Sequence, residues 1–355
     1  MDIFRHAALT RRDAVQWAAM AAGVTALGPR ALWAAQDGLI SKAIPSTGEK
    51  LPVIGIGTNA FSESIKDELR QVLARFSALG ASVVDTAASY GESEQVIGEL
   101  VAELKLRDKL FLATKFTANG GMGMGPPPGG AGGPPPGFGG PPGRGGPGGG
   151  GGPPPGGPPP GMGGPPVGGA ASFERSLERL KTDHIDLLYV HNLSGTDELF
   201  PRMQEWKKAR RVRYLGVSTA SDDQHDALVE QMKKYPLDFV ECNYGIGGRA
   251  AEQTVLKTAA ERRIAVVANV PFGGRGGRTL AAVQGKPLPP WAAEIGCSSW
   301  AQVMLKYAMS HPAVTCVISG STKTSHVEDN QQAGRGVLPD AALRKRMEQY
   351  WDALA

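Results

Sequence analysis

Short hydrophobic runs alternate along the chain with longer segments in which apolar residues recur at helical spacing. The hydrophobic runs predict strands at 52–58, 82–85, 110–114, 185–190, 214–217, 238–242, 264–268 and 314–318. The segments of helical spacing predict helices at 65–79, 92–104, 172–180, 197–209, 221–234, 250–262 and 300–310, with a last helix at 339–353. A hairpin turning at 47–50 is expected before the first long strand. Strands that alternate with helices in this way are typical of a (β/α)8 TIM barrel and not of a doubly wound sheet.

Two arginines, Arg11 and Arg12, stand directly before an apolar stretch at 14–27. That order is typical of a twin-arginine export signal. We therefore predict a signal peptide over residues 1–35 and a periplasmic or otherwise exported protein. The stretch is too short and too interrupted to be a stable membrane span. The alternative is an amphipathic helix at the start of a cytoplasmic protein.

A segment of extreme composition interrupts the predicted barrel at 120–169, where 43 of 50 residues are glycine or proline. Its glycine runs break the three-residue period that a collagen triple helix requires. With one charge and one aromatic residue it cannot bury enough surface to offset the entropy of ordering, so we predict that it is disordered. The barrel domain is expected to span 36–355 around it. The segment is a tolerated loop expansion, a screen over the pocket, or a tether for a partner.

The charge balance excludes one class of partner. The formal net charge is +4, and the first 35 residues contribute about half of it, with four arginines against two aspartates. A near-neutral body is not that of a protein held on nucleic acid by phosphate contacts. The three cysteines, Cys242, Cys297 and Cys316, have no CxxC spacing and no accompanying Cys/His cluster. We therefore predict buried thiols, no disulfide framework and no metal site.

Three predicted strands end in residues with catalytic chemistry. Asp85 ends the second strand, Lys115 follows the third and His191 follows the fourth. Tyr90 lies in the loop beyond Asp85. In a parallel barrel these strand ends meet at one face, where catalytic groups collect. Each residue alone has an ordinary structural explanation, such as a turn cap or a core histidine, but their occurrence together indicates a catalytic site.

The motifs around these residues resemble those of the aldo/keto reductases. The run 83–91 is similar to the family's aspartate–tyrosine signature, and 111–115 is similar to its lysine strand. The run 176–191 is similar to its histidine signature, and the match continues at 216–218 and 317–320. The resemblance covers most of the chain outside the Gly/Pro segment. It implies an NADP(H)-dependent oxidoreductase that interconverts an aldehyde or ketone and its alcohol.

The resemblance implies a role for each of the four residues. Tyr90 would be the general acid that protonates the carbonyl oxygen, although the usual tyrosine pKa of about 10 makes it a poor acid at neutral pH. The Lys115 ammonium would lower that pKa by stabilising the phenolate. Asp85 would pair with Lys115, and His191 would orient the carbonyl.

The resemblance also implies a nicotinamide site formed by Ser218, Thr219, Glu241 and Asn269. Three of the four depart from the family pattern. Thr219 stands where the family usually has an asparagine, Glu241 where a glutamine is common, and Asn269 where many members stack a tyrosine on the ring. A glutamate accepts hydrogen bonds from the carboxamide but cannot donate one to its oxygen. We therefore expect altered nicotinamide geometry or weaker binding.

The phosphate end follows the family pattern more closely. Barrels often bind phosphate in the loops after the seventh and eighth strands, against a helix N-terminus, and a helix is expected to begin near Thr324. Arg275, Arg278 or Lys323 is expected to meet a pyrophosphate or a 2′-phosphate. This favours NADP over NAD, although His326 stands where many relatives carry an arginine. The remaining predicted contacts are Pro271, Gly273, Gly274, Ser319, Gly320, Ser321 and, for the adenine, Asn330.

Two classes of function remain open at this stage. The first is an oxidoreductase acting on a small-molecule carbonyl or alcohol, a sugar among the candidates, and the complete set of four catalytic residue types favours it. The second is a non-catalytic barrel that serves as a cofactor-binding or interaction module. The three departures at the nicotinamide site favour this second class.

Overall fold

The computed structural model describes residues 38–119, 168–274 and 277–354. The predicted signal peptide at 1–35 lies outside these residues, as does the part of the Gly/Pro segment at 120–167. The predictions for both segments therefore stay predictions. In the part of the chain that is described, no helix is long and apolar enough to cross a membrane.

Eight parallel strands close into a barrel, which confirms the predicted fold. The strands are β3 (Ile54–Gly57), β4 (Val83–Asp85), β5 (Phe111–Phe116), β6 (Ile185–His191), β7 (Val212–Ser218), β8 (Phe239–Asn243), β9 (Ala265–Asn269) and β10 (Val314–Gly320). Each strand pairs with the next along the chain, and β10 pairs with β3 to close the sheet. The predicted hairpin precedes them as the antiparallel strands β1 (Ser41–Ala43) and β2 (Lys50–Pro52).

Helices alternate with the strands in the order that the hydrophobic pattern predicts. They are α1 (Lys66–Ala78), α2 (Ser93–Glu103), α3 (Gly169–Leu180), α4 (Thr196–Lys208), α5 (His225–Lys234), α6 (Val255–Arg262), α7 (Arg278–Ala281), α8 (Trp300–Ser310), α9 (Thr324–Ala333) and α10 (Ala341–Asp352). The apolar stripe of each long helix is buried against the barrel, as the amphipathic pattern requires.

Several element boundaries differ from the sequence prediction, and three of these differences are explained by local structure. The first barrel strand begins at Ile54 and not at Pro52, because Pro52 still pairs within the hairpin. The helices predicted at 221–234 and 250–262 each begin as a single 3₁₀ turn, and α5 and α6 start later. Turns of this kind are frequent at helix starts, and the hydrophobic pattern alone does not distinguish them from α-helix.

The hydrophobic core has two layers. One lies inside the barrel and contains inward-facing side chains such as Phe111, Tyr189 and Phe239, and the other lies between the strands and the helices. Successive side chains of a strand point to opposite faces, which produces both layers. Ile44 and Leu51 of the hairpin join the inner cluster. The hairpin therefore covers the N-terminal end of the barrel, and the C-terminal ends of the strands are left to bind a ligand.

The three cysteines are buried free thiols. Cys242 and Cys316 lie in β8 and β10, as predicted, and Cys297 lies ahead of α8. Burial raises the pKa of Cys242 and of Cys297 to about 12, and it raises the pKa of Cys316 as well. The thiols are therefore protonated and unreactive at neutral pH.

Candidate active site

The four predicted catalytic residues meet at the C-terminal end of the barrel. Asp85 is the last residue of β4, Lys115 lies near the end of β5 and His191 ends β6, so three neighbouring strands bring them to one face. Tyr90 lies in the turn between β4 and α2, where its N–H donates to Ala87 O at 3.0 Å. The sequence spacing alone predicts this gathering, because parallel strands place their C-terminal ends together.

A buried charge cluster lies at the centre of this site. The Lys115 ammonium forms an ion pair with the Asp85 carboxylate and donates to Thr86 O at 3.1 Å. On its other side lies Glu241, whose Oε2 is 3.3 Å from Lys115 Nζ. The side chains of Lys115, Asp85 and Glu241 are only 1%, 2% and 3% exposed. One cation is therefore flanked by two carboxylates away from water.

Tyr90 and His191 lie above this cluster. Lys115 Nζ is 5.4 Å from the centroid of the Tyr90 ring. The rings of Tyr90 and His191 meet edge to face, with centroids 5.8 Å apart and planes at 80°. Ser89 Oγ lies 3.3 Å from His191 Nδ1, so the other ring nitrogen is the one available to a substrate. The pair can thus present a phenol and an imidazole nitrogen to one carbonyl oxygen.

The pKa of Tyr90 differs from the sequence expectation. Burial raises it, the Lys115 charge lowers it and the charges of Asp85 and Glu241 raise it, so that the net pKa is about 12. Lys115 therefore acts in the expected direction, but the net lowering that the sequence analysis expects is wrong. The main reason is the burial of the Tyr90 hydroxyl, which disfavours the phenolate, and the second carboxylate, Glu241, adds to it.

The other titratable groups of the site are shifted by burial and by one another. Burial and the Glu241 carboxylate raise the pKa of Asp85 to about 8, in spite of the attraction of Lys115. Burial lowers the pKa of Lys115, but Asp85, Glu241 and Tyr90 outweigh it and the pKa is raised. Burial and the nearby Lys115 charge lower the pKa of His191 to about 3, so this imidazole is neutral at neutral pH.

The four residues predicted to hold the nicotinamide lie at the ends of β7, β8 and β9, beside this cluster. Ser218, Thr219, Glu241 and Asn269 are all buried. Asn269 Nδ2 donates to Glu241 Oε1 and to the Thr219 carbonyl, each at 2.9 Å. The three positions that depart from the family pattern therefore form one hydrogen-bonded unit.

The backbone beyond Asn269 is strained. Val270 has a φ of +43°, a left-handed conformation that β-branched residues rarely adopt. It turns the chain sharply at the end of β9, and Gly245 permits the approach because a Cβ there would lie 2.7 Å from the carbonyl oxygen of Pro271. Strain of this kind is often found at functional sites.

The polar atoms left over at this end of the barrel match a nicotinamide carboxamide. Among the described residues no hydrogen-bond partner is found for Ser218 Oγ or for Asn269 Oδ1. A carboxamide has two N–H donors and one acceptor. The Ser218 hydroxyl can donate to its oxygen, and Asn269 Oδ1 can accept from its nitrogen. Ser218 and Asn269 therefore fit a nicotinamide carboxamide, although they differ from the asparagine and glutamine that the family usually carries.

The predicted phosphate contacts lie in the loops after β9 and β10. Near the end of β10, Ser319 Oγ accepts from Asn330 Nδ2 at 3.1 Å, and in the loop beyond it Ser321 Oγ accepts from the Lys323 N–H at 3.3 Å. Helix α9 begins at Thr324, as expected, but no side chain caps it. Its first N–H groups are available to an anion. Gly320 and the Lys323 side chain are exposed beside them.

The loop after β9 offers a second set of backbone groups. Gly273 and Gly274 have φ values of +91° and +71°, and a Cβ on Gly273 would overlap Thr279. These two positions therefore require glycine or strongly favour it. Arg278 is exposed at the start of α7, and Arg275 lies outside the described residues. Asn330 is 7% exposed and bonded to Ser319, so the structure places it beneath the loop and not on its surface.

One side chain of the site, Tyr189, was not singled out from the sequence, and another, Glu241, was given only one of its roles. Glu241 was assigned to the cofactor alone, yet it also contacts Lys115. Tyr189 lies beside Lys115 in the sheet register, with Lys115 Nζ 5.7 Å from its ring centroid. The available signal was strand alternation, because Tyr189 is two residues before His191 and shares its face. A charged residue within the apolar run of β8 was the signal for Glu241.

The part of the chain that is described contains no group of three or more side chains that could hold a metal ion. The site consists instead of a buried Asp–Lys–Glu cluster beneath a tyrosine and a neutral histidine, at the C-terminal end of a (β/α)8 barrel.

Comparison with known proteins agrees with this class of site. Residues 53–346 match the family model described as "Aldo/keto reductase family", and the chain belongs to the aldo/keto reductase family. Methylglyoxal reductase YeaE of Escherichia coli (strain K12) is 25% identical over 310 residues, which cover 85% of this chain and 92% of that protein. Aldo-keto reductase YhdN of Bacillus subtilis (strain 168) is 26% identical over 232 residues, or 62% of this chain. The match spans only 59% of the length of YhdN.

A solved structure shares the fold. The aldo-keto reductase from Klebsiella pneumoniae in complex with NADPH superposes with a TM-score of 0.62 at 18% identity. The superposition covers 88% of this chain and 96% of that one. At this identity the likeness supports the barrel and its strand order, which the described residues show independently.

Proposed function

We propose that this protein is an NADP(H)-dependent oxidoreductase that interconverts an aldehyde or ketone and its alcohol by hydride transfer. The observation that carries the proposal is the edge-to-face pair of Tyr90 and neutral His191 above the buried Lys115 ammonium. This arrangement offers a proton donor, a neutral orienting group and a positive charge to one carbonyl oxygen.

The proposed mechanism assigns one role to each side chain. Tyr90 is protonated at neutral pH and donates its proton to the carbonyl oxygen, and the Lys115 charge stabilises the phenolate that remains. Asp85 holds Lys115 in place through the buried ion pair. His191 orients the carbonyl through the nitrogen that Ser89 does not contact. A bound nicotinamide supplies the hydride that is added to the carbonyl carbon, and the product is the alcohol.

The cofactor assignment rests on two sets of residues. Ser218 and Asn269 present unpartnered polar atoms that fit the carboxamide. The N-terminus of α9 and the glycine loop after β9 fit the phosphates, and the exposed Lys323 and Arg278 favour a cofactor that carries a 2′-phosphate. The NADPH complex of the Klebsiella pneumoniae structure supports NADP over NAD. The name of the Escherichia coli relative, methylglyoxal reductase, makes small oxoaldehydes the first substrates to test.

A fluorescence titration with NADPH and NADH tests the proposal. We expect the purified protein (residues 36–355) to bind NADPH and to bind NADH more weakly. A carbonyl screen should then detect turnover. Failure to bind either nucleotide would overturn the proposal and leave the non-catalytic barrel, in which the bonds from Asn269 Nδ2 to Glu241 and Thr219 would be purely structural.

We further propose export by the twin-arginine route, on the basis of Arg11 and Arg12 ahead of the apolar stretch at 14–27. The test is fractionation of cells that express the full chain and an Arg11→Lys, Arg12→Lys variant. Export predicts a shortened protein in the periplasm for the natural sequence and retention of the variant in the cytoplasm. Equal distributions would leave the cytoplasmic alternative.

For the Gly/Pro segment we propose a tolerated loop expansion. The described residues on its two sides are held together, because the Gly169 N–H donates to Thr117 O at 3.0 Å. A deletion of 120–167 therefore joins two chain ends that already lie close to one another. We expect unchanged cofactor affinity and turnover. A changed KM would indicate a screen over the pocket, and lost localisation or partner binding with normal turnover would indicate a tether.

A further inference from the structure

The charge cluster beneath Tyr90 is unbalanced. Asp85 and Glu241 carry two negative charges when ionised, and Lys115 carries one positive charge. Among the described residues Lys115 is the only cation that forms an ion pair with either carboxylate. All three side chains are at most 3% exposed, so water screens the excess negative charge poorly.

The same cluster contains hydrogen-bond acceptors that have no donor. In the described part of the chain, Asp85 Oδ2 and Glu241 Oε2 accept no hydrogen bond, although Glu241 Oε2 contacts the Lys115 charge. Asn269 Oδ1 next to them is also unpartnered. Buried acceptors without a donor are costly, and a cation or a proton donor relieves that cost. The cluster is therefore suited to a positively charged occupant.

We propose that Glu241 adapts this site to hold the oxidised, cationic nicotinamide in preference to the reduced, neutral one. The inference rests on the proposed function. Hydride transfer requires the ring and the carbonyl carbon to approach to about 3–3.5 Å, and the carbonyl oxygen must reach Tyr90. A bound ring would therefore lie beside the Asp85–Lys115–Glu241 cluster. Only its oxidised form carries a positive charge there.

A proton competes with the cationic ring for the same excess charge. Burial and Glu241 raise the pKa of Asp85 to about 8, so the cluster exchanges a proton near neutral pH and the Asp85–Lys115 pair is only partly ionised in the absence of the ring. The groups that face it are Lys115, Glu241, Tyr90, Tyr189 and the Cys316 thiol. Lys115, Tyr189 and the thiol keep their protons across this range. Binding of the oxidised ring should displace the Asp85 proton, and binding of the reduced ring should not.

This preference has a consequence for the reaction. Tighter binding of the oxidised cofactor shifts the equilibrium on the protein towards oxidised cofactor and alcohol. Bound NADPH is then a stronger hydride donor than it would be beside a neutral side chain, and the oxidised cofactor is slower to leave. Glu241 is a positioning and charge-bearing residue in this account, since it acts on the cofactor and not on the substrate.

The experiment compares the affinities of the two redox forms. The Glu241→Gln variant removes the charge and keeps an acceptor for Asn269, and Glu230→Gln makes the same change on the exposed face of α5. We would measure the Kd of NADP+ and of NADPH for each protein at pH 7 and pH 9. We expect the Kd(NADPH)/Kd(NADP+) ratio to fall by roughly tenfold or more in Glu241→Gln and to stay unchanged in Glu230→Gln.

Proton release provides a second readout on the natural protein, which is needed if Glu241→Gln fails to fold. Calorimetric titrations in buffers of different ionisation heat should detect proton release with NADP+ at pH 7 and none with NADPH. The affinity for NADP+ should rise from pH 7 to pH 9. Binding of both forms with an unchanged ratio, or with no proton release, overturns the inference and leaves the proposed function intact. Absence of binding by either form overturns both.

Discussion

The two ends of the barrel both bury charged side chains, but they satisfy them differently. At the N-terminal end, Asp186 accepts from the Leu112 N–H at 2.9 Å and from Arg213 at 2.8 Å, so both of its oxygens are used. Lys42 donates to three backbone carbonyls, of Met309, His311 and Val314. At the C-terminal end, within the described residues, the carboxylates around Lys115 have oxygens that accept nothing.

This difference indicates that the charged side chains at the N-terminal end stabilise the fold, whereas those at the C-terminal end are available to a ligand. A cavity of about 680 Å³ opens at the N-terminal end, next to Lys42, Glu252, Arg263 and His311. Lys42 and Arg263 direct their donors to backbone carbonyls there, and Glu252 is paired with Arg344. Polar groups that are all hydrogen-bonded within the protein add rigidity and have few free donors or acceptors for a ligand. Polar groups without a partner can still bind one. The C-terminal site, with its unpartnered acceptors, is therefore the better candidate for chemistry.

The largest expected difference between the two ends is in turnover. Tyr90→Phe removes the proposed proton donor and should lower kcat by about 10²–10⁴-fold, the usual contribution of a general acid. Tyr214→Phe removes the corresponding hydroxyl at the N-terminal end, which donates to Glu49 at 2.6 Å, and should leave kcat unchanged. Steady-state kinetics with cofactor titration measures both. An equal loss of kcat in the two variants would contradict the assignment of catalysis to the C-terminal end of the barrel.

A second comparison concerns the stability lost when a buried or half-buried lysine is removed at each end of the barrel. Lys115→Met leaves two buried carboxylates unpaired and should lower the free energy of unfolding by about 3–5 kcal/mol at pH 9. The loss should be smaller at pH 6. A folded-state pKa raised above the ordinary value, as for Asp85, costs stability as pH rises, and removal of Lys115 raises it further.

The matched variant for this comparison is Lys207→Met at the N-terminal end. Its partner Asp238 still accepts from the Leu215 N–H at 2.8 Å, so the loss should be about 1 kcal/mol or less. Denaturant unfolding at the two pH values measures both variants. A loss in Lys115→Met that does not depend on pH would argue against the charge imbalance.

A third comparison exchanges one carboxylate for an amide at each end. Asp186→Asn turns an amide nitrogen towards one of its donors, Leu112 N–H, Arg213 or Arg107, and should cost about 1–3 kcal/mol of stability without a change in cofactor affinity. Asp85→Asn relieves the repulsion with Glu241 and should cost less stability, yet it should impair turnover. Thermal unfolding and steady-state kinetics of the two variants measure these effects. A stability loss in Asp85→Asn as large as that in Asp186→Asn would place both in structural networks.

The smallest effect concerns the histidines. The pKa of His191 is lowered to about 3 from its ordinary value of 6.5, so unfolding takes up a proton between these pH values. Stability from this group is present above pH 6.5 and is lost as pH falls towards 3. At pH 5, His191→Asn should reduce proton uptake on unfolding by about one proton. The less deeply buried His311, with a pKa lowered to about 4, is the N-terminal counterpart, and its substitution should give a smaller decrease.

Much of the fold and part of the site were predictable from local pattern. The order of strands and helices follows from the alternation of hydrophobic periods, and Asp85, Lys115 and His191 were placed by their positions at strand ends. The 3₁₀ starts ahead of α5 and α6 were not predictable, because they depend on backbone hydrogen bonds that leave the hydrophobic pattern unchanged. The pairing of Pro52 within the hairpin was not predicted, because the run 52–58 is apolar in its N-terminal part and was assigned whole to the first barrel strand.

The sequence by itself determined the barrel, its catalytic face and the residue types that gather there, because topology brings the C-terminal ends of parallel strands together. Only the tertiary structure decided how those residues act on one another. It placed Glu241 against Lys115 and bonded Asn269 to Glu241 and Thr219. It also buried Tyr90, which raises the pKa of that side chain where the resemblance implied a decrease. The physical reason is that pKa values and hydrogen bonds depend on distances of a few ångströms between strands far apart in the chain.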